Sequence, residues 1–263
     1  MFGLDNLFAP AVLAALVVII IVGAIKHGTI GFGFPLVSTP LIALLIDVKT
    51  AVFITVIPNI AVNVVSILRG GNWRESIGRH WPLAIWVALG TIVGTRVLLV
   101  APPELLQLVL AAMIVVFLAR AKLRQLDWMW IRRRPTASGA AFGLVAGLFS
   151  GAVNLGGPPL LIYFMMLELT PVPLTQILNL CFIAGKTTQA ATLSLTGPGS
   201  LLLLIASLPL TGLAVASLLL GTQLQKRMSD ALYFKILRVT LATIVILLVG
   251  RTAIELAHRF HLG

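Results

Sequence analysis

Lys186 stands well inside a long apolar run, residues 173–195, with Asn179 seven places before it and Thr187, Thr188 and Gln189 directly after. A lysine at the centre of a bilayer costs roughly 2.5–3.5 kcal/mol. This one is far from either end of its run, a long reach for an ammonium that seeks water. Seven residues make about two helical turns, so Asn179 and Lys186 share a face. One ammonium with amides beside it can solvate a small anion from several directions. It can equally cap carbonyls that an unwound segment has freed.

Two stretches could supply such unwound backbone. Residues 23–36 read GAIKHGTIGFGFPL, and residues 143–160 read GLVAGLFSGAVNLGGPPL. Glycine loosens a helix and proline removes an amide donor, so both should unwind. Open backbone at membrane depth is tolerated only where protein or a wet cavity solvates it. Helix N-termini that open after a break would aim free N–H groups at an anion. The backbone at Gly31 and Gly33, and at Asn154, Gly156 and Gly157, is therefore a candidate substrate site, together with Lys186, Asn179 and Gln189. Asn59 and Asn63 follow Pro58 on one face of another apolar run. They are either donors to the same anion or hydrogen bonds between helices. Lys26 and His27 read first as the cytoplasmic end of the first span; His27, inside the first interrupted stretch, is also the candidate for proton coupling. The bland reading of Gly23, Gly143, Gly147 and Gly151 is close helix packing, which their four-residue spacing favours.

These residues need helices in lipid to hold them. The chain has 263 residues, 59% hydrophobic and 10% charged, where a soluble domain carries about a quarter charged residues. Apolar segments fall near 10–25, 30–46, 50–68, 82–100, 104–119, 138–152, 157–169, 173–195, 200–221 and 233–250. An all-α polytopic membrane protein of about ten helical segments follows, since strands would leave backbone unpaired in lipid. The segment before each glycine-rich stretch reads as about 15 residues, or ~22 Å of helix, shorter than the bilayer core. The first two segments of each half are thus expected to be broken or re-entrant.

Arginines and lysines gather at 69–80, at 120–134 and at Lys226–Arg227, which the positive-inside rule assigns to the cytoplasm. The links at 101–103 and 196–200 carry no charge and fit the outside. GFPL at 33–36 answers GPPL at 157–160, and PLAIWVALGTIVGT at 82–95 answers PLTGLAVASLLLGT at 209–222. The chain reads as a duplication: a first repeat over 1–119, a basic cytoplasmic loop over 120–137, and a second repeat over 138–263, forming one membrane domain. The third segment of half one ends at a basic loop and its counterpart at a neutral one, so the two five-segment repeats should be inverted. Against this, the tail that counts to the outside carries Arg251 and Arg259.

The net charge of +11 lies between apolar runs rather than on one face, which argues against nucleic acid. Motifs for metallo-, serine or phosphate-loop chemistry are missing from the sequence, as is any Cys/His cluster with metal spacing. No enzyme, metal or cofactor is expected, and the single cysteine, Cys181, reads as a packing residue. A secondary transporter of a small anion by alternating access is the reading that absorbs most of these features. An anion channel, or a carrier of another small anion such as a carboxylate, is the alternative. The coupling ion, proton or sodium, and the oligomeric state stay open.

The GxxGxGFP pattern at 28–35, GGPPL at 156–160, GxxxGTR at 90–96 and GTQLQKR at 221–227 resemble the TauE/SafE family of sulfite-exporter and sulfonate-permease-like proteins, over about 10–250. The resemblance implies a carrier of small sulfur-containing anions such as sulfite or organosulfonates, in a bacterial inner membrane. Where the family often runs three glycines together, this chain has GFGFP, which makes Phe34 a candidate wall residue.

Overall fold

The computed structural model of the chain describes residues 9–71, 73–123, 129–196, 198–224, 238–239 and 241–253. All regular structure among them is helical: α1 (Pro10–Ile30), α2 (Phe34–Leu45), α3 (Val48–Arg69), α4 (Trp73–Val100), α5 (Pro103–Leu123), the short α6 (Met129–Arg133), α7 (Pro135–Val153), α8 (Gly157–Met166), α9 (Pro171–Ser194), α10 (Pro198–Ala206), α11 (Leu208–Leu224) and α12 (Leu241–Ala253). Several begin on proline, where the helix has no use for the missing N–H. Six spans are long and apolar enough to cross a membrane: α1, α3, α7, residues 80–100 of α4, residues 103–120 of α5, and residues 200–224 through α10 and α11. α9 has the length, at 24 residues, but carries Gln176, Asn179, Lys186 and Gln189. Arg124, Lys226, Arg227 and Arg259 lie outside the described residues, as do residues 233–237 of the last expected segment.

The helix before each break is longer than its apolar run. α1 has 21 residues and α7 has 19, while the short helices are those after the break, α2 with 12 and α8 with 10. α1 continues through Lys26, His27 and Thr29 because each is buried and satisfied by a neighbour rather than by lipid. At its end the chain turns through Gly31, at φ +89°, and α7 ends the same way on Asn154, at φ +62°. Glycine and asparagine are the residues that take this left-handed cap most readily.

Each break reverses the chain. Gly23 lies against Ser38 and Phe34, so α2 runs back along α1. Gly156 lies against Ala146 and Ser150, and the Tyr163 hydroxyl donates to Pro135 O at 3.2 Å, so α8 runs back along α7. The same interval in sequence separates Gly31 from Asn154, Phe34 from Gly157 and Val48 from Pro171.

The two helical hairpins pack on distant partners, and glycine sets the distance. On α1, a Cβ at Gly28 would overlap Leu218 O and come within 3.0 Å of Thr222 N. On α7, a Cβ at Gly151 would come within 2.5 Å of Thr91 O and 2.6 Å of Thr95 N. Gly221 faces Ile25 O, and Gly94 faces Leu148 O, equally closely. α11 therefore crosses α1, and α4 crosses α7, with backbones in contact. α3 and α9 fill the middle. Side chains such as Val18, Ile92 and Leu202 remain exposed on the outside, as a lipid-facing surface requires. Arg251, the charge that contradicted the loop pattern, donates to Leu44 O at 3.0 Å and to Ala43 O and Ile46 O at 3.4 Å. It caps the open carbonyls at the end of α2.

Candidate functional site

The two breaks meet. Phe32, Gly33 and Pro35 of the first and Asn154, Gly157 and Pro158 of the second line one small gap of about 20 Å³, closed by Phe117 and Phe182. Asn154 is the tie between the halves. Its Nδ2 donates to Thr39 Oγ1 and Thr55 Oγ1, both at 2.8 Å, and its Oδ1 accepts from Asn59 Nδ2 at 3.3 Å. Asn63 Nδ2 in turn donates to Asn59 O at 2.5 Å and Asn59 Oδ1 at 2.7 Å. Buried polar groups of this kind must be paired to be tolerated. Asn59, Asn63 and Asn154 are paired mainly with one another and with threonines.

The first break is held by side chains on its own hairpin and on α9. Lys26 Nζ donates to Gly33 O at 2.9 Å and lies 5.7 Å from the Phe32 ring centroid. Asn179 Nδ2 donates to Gly31 O at 2.9 Å. The N–H of Phe34, first in α2, donates to His27 Nδ1 at 3.3 Å. Because Nδ1 accepts, the ring proton sits on Nε2, which donates to Ser66 Oγ at 2.9 Å. The helix end expected to face an anion is thus occupied by histidine.

At the second break the carbonyls of Ser150 and Gly151 are taken by α9. Lys186 Nζ donates to Ser150 O at 2.8 Å and to Gln189 Oε1 at 2.5 Å, and Gln189 Nε2 donates to Gly151 O at 2.8 Å. Lys186 is 1% exposed and Gln189 0%. In this conformation the ammonium solvates backbone. Gly156 is packed against α7, and Gly157 lies near Phe182.

A cavity of about 420 Å³ opens on the other side of the first break. Its wall joins His27 and Gly31, Ser66 and Arg69 from α3, Gln176 and Asn179 from α9, and Thr222 from α11. Arg69 and Gly70 are exposed at its mouth, and Arg69 Nη2 donates to Thr222 Oγ1 at 3.5 Å. Donors thus outnumber carboxylates around it, for no acidic side chain lines it. Of the expected site residues, His27, Gly31 and Asn179 reach this cavity. Gly33, Asn154 and Gly157 line the small gap, Asn59 and Asn63 form the amide cluster, and Lys186 and Gln189 hold the second break.

Ser66, Arg69 and Gln176 carry no motif. Their signal is the continuation of two polar faces: Asn59, Asn63 and Ser66 along α3, and Gln176, Asn179, Lys186 and Gln189 along α9. Reading Arg69 as a loop anchor hid its place at the cavity mouth. A separate cleft of about 290 Å³ lies between α4 and the α7–α8 hairpin, lined by Trp86, Tyr163 and other mostly apolar residues.

No curated protein and no solved structure matches the chain. The model of the sulfite exporter TauE/SafE family matches residues 15–250. The interrupted hairpins, the apolar spans and that match together place this chain in the sulfite exporter TauE/SafE family: it is a multi-pass membrane transporter and not an enzyme.

Proposed function

We propose that the protein is a secondary transporter that moves a small sulfur-containing oxyanion, such as sulfite or an organosulfonate, across a bacterial inner membrane by alternating access. The observation that carries this reading is the cavity beside the first break. Its wall is half polar, free of carboxylates and edged by Arg69, and it reaches the Gly31 cap. Amides, hydroxyls and a guanidinium suit an oxyanion with charge on several oxygens. A cation would find no counter-charge there.

Alternating access is supported by the exchanged helix contacts. Gly28 meets Leu218 and Thr222 as Gly151 meets Thr91 and Thr95, and Gly221 meets Ile25 as Gly94 meets Leu148. One interval relates Gly28 to Gly151 and Ile25 to Leu148, and a second relates Thr91 to Leu218, Thr95 to Thr222 and Gly94 to Gly221. Such an exchange is what a two-fold relation between repeats produces. The ends of α1 and α3 and the start of α9 surround the cavity. Their counterparts, the ends of α7 and α9 and the start of α3, lie at the opposite end of the bundle. This arrangement favours inverted five-segment repeats.

His27 is the proton-coupling candidate in this scheme. Protonating Nδ1 would break its bond from Phe34 N–H and loosen the start of α2, and the charged groups around it, Lys26 and Arg69, are both cations. Uptake of labelled sulfite into proteoliposomes, measured across pH and against competing sulfonates and carboxylates, tests both ideas. Sulfite or a sulfonate should compete best, and His27→Gln should flatten the pH profile. An unchanged profile removes His27 from coupling, and carboxylates winning the competition removes the substrate assignment.

A further inference from the structure

We infer a second anion vestibule at the end of the bundle opposite Arg69, sealed in this structure, with Ser150, Gln189 and Lys186 at its floor and Thr91 and Thr95 on its wall. The inference rests on the transporter reading above and deepens it by naming the outer half of the pathway. The intervals that carry Gly31 to Asn154 and Gly94 to Gly221 carry four lining residues of the open cavity to polar partners, whereas Gln176 and Asn179 fall on Phe53 and Val56. His27 goes to Ser150, Ser66 to Gln189, Leu218 to Thr91 and Thr222 to Thr95. The same two pairs of helices are joined, though not through equivalent residues. His27 of α1 bonds Ser66 near the end of α3, and Ser150 and Gly151 of α7 bond Lys186 and Gln189 near the end of α9.

The chemistry of the sealed positions is that of a binding site rather than of a core. Ser150, Gln189, Lys186, Thr91 and Thr95 are each at most 1% exposed. Ser150 Oγ is buried with no hydrogen-bond partner among the described residues, as are Thr50 Oγ1, Asn63 Oδ1 and, beside the open cavity, Gln176 Oε1 and Asn179 Oδ1, an arrangement that costs stability in this conformation. Lys186 and Gln189 hold the neighbouring carbonyls, Thr91 Oγ1 donates to Val87 O and Gly147 O and Thr95 Oγ1 to Thr91 O, with no carboxylate bonded to any of them. The seal is the close contact of α9 with α4 and α7. A Cβ at Gly185 would stand 3.1 Å from Thr91 Oγ1 and 3.5 Å from Ser150 Oγ. Drawing α9 away from this seam releases Lys186 from the Ser150 carbonyl and presents it to an oxyanion. α9 then serves both sides, with Asn179 at one vestibule and Lys186 at the other.

Single cysteines in a Cys181→Ala background test this. With a membrane-impermeant maleimide on vesicles of known orientation, Ser66→Cys should label from the Arg69 face. Ser150→Cys should label from the opposite face, at least tenfold faster than from the Arg69 face. Thr95→Cys gives the same reading if Ser150→Cys does not assemble. In the unsubstituted chain, the amides of 150–156 should exchange with deuterated water in nanodiscs, as those of 31–33 do. If neither cysteine labels from the opposite face while Ser66→Cys labels to completion, or if 150–156 stays fully protected, the vestibule does not exist. Labelling of Ser150→Cys in a protein that takes up no sulfite would uphold the vestibule and strike the substrate assignment instead.

Discussion

A leucine at Gly94 will prevent the protein from assembling, and a leucine at Gly221 will do the same. At Gly94 the new Cβ would overlap Leu148 O and stand 3.0 Å from Ala152 N; at Gly221 it would overlap Ile25 O and stand 2.9 Å from Ile25 Cα. The obstructing atoms are backbone in mid-helix, so no rotamer change relieves them and the helices must part. Overpacking of a side-chain core costs about 1–3 kcal/mol; separating two backbones along a whole crossing costs more, because every contact on the seam loosens together. Gly212 is the control, since a Cβ there meets open space, and Gly212→Leu should stay within about 0.5 kcal/mol of the parent. Size-exclusion profiles of detergent extracts, before and after heating, distinguish these outcomes. A monodisperse, heat-resistant Gly94→Leu protein would show that the α4–α7 contact is not as close as described.

Lys186→Met separates the two roles of the buried ammonium. Methionine nearly matches its length and is far easier to place in lipid, so the helix should still insert. Gln189 Oε1 would lose its donor, while Ser150 O would keep the Asn154 N–H at 3.1 Å, a cost of about 1–3 kcal/mol for the one orphaned acceptor. A modest fall in melting temperature is therefore expected. The effect on sulfite uptake should be larger, roughly ten- to a hundredfold, the factor set by one charge-assisted hydrogen bond of about 1.5–3 kcal/mol. Reduced stability with full uptake would leave Lys186 as a carbonyl cap alone.

Glycine, proline and lysine carried most of what the sequence disclosed. The breaks at Gly31 and Asn154 were legible because few other residues suit a left-handed cap beside a proline-led helix. Six of the expected spans were legible from hydropathy alone. Helix length before each break was not, because an apolar count stops at Lys26 whereas the folded helix continues by handing that ammonium to Gly33 O. One span read as 200–221 is two helices meeting at Ser207, where Pro209 lies in the first turn of the second. The partners of Lys186 depend on which helices touch, and hydropathy says nothing of that. Arg69 was read by its place in a basic loop, and its position over a polar cavity became visible only when α3, α9 and α11 converged.

The most direct measurement is counterflow of labelled sulfite in proteoliposomes. Vesicles preloaded with unlabelled sulfite should take up label faster than empty ones, with uptake that saturates. Flux that fails to saturate, simply follows the imposed voltage and ignores the internal load would mean an open pore, and the two breaks would then not be the moving centre of a carrier.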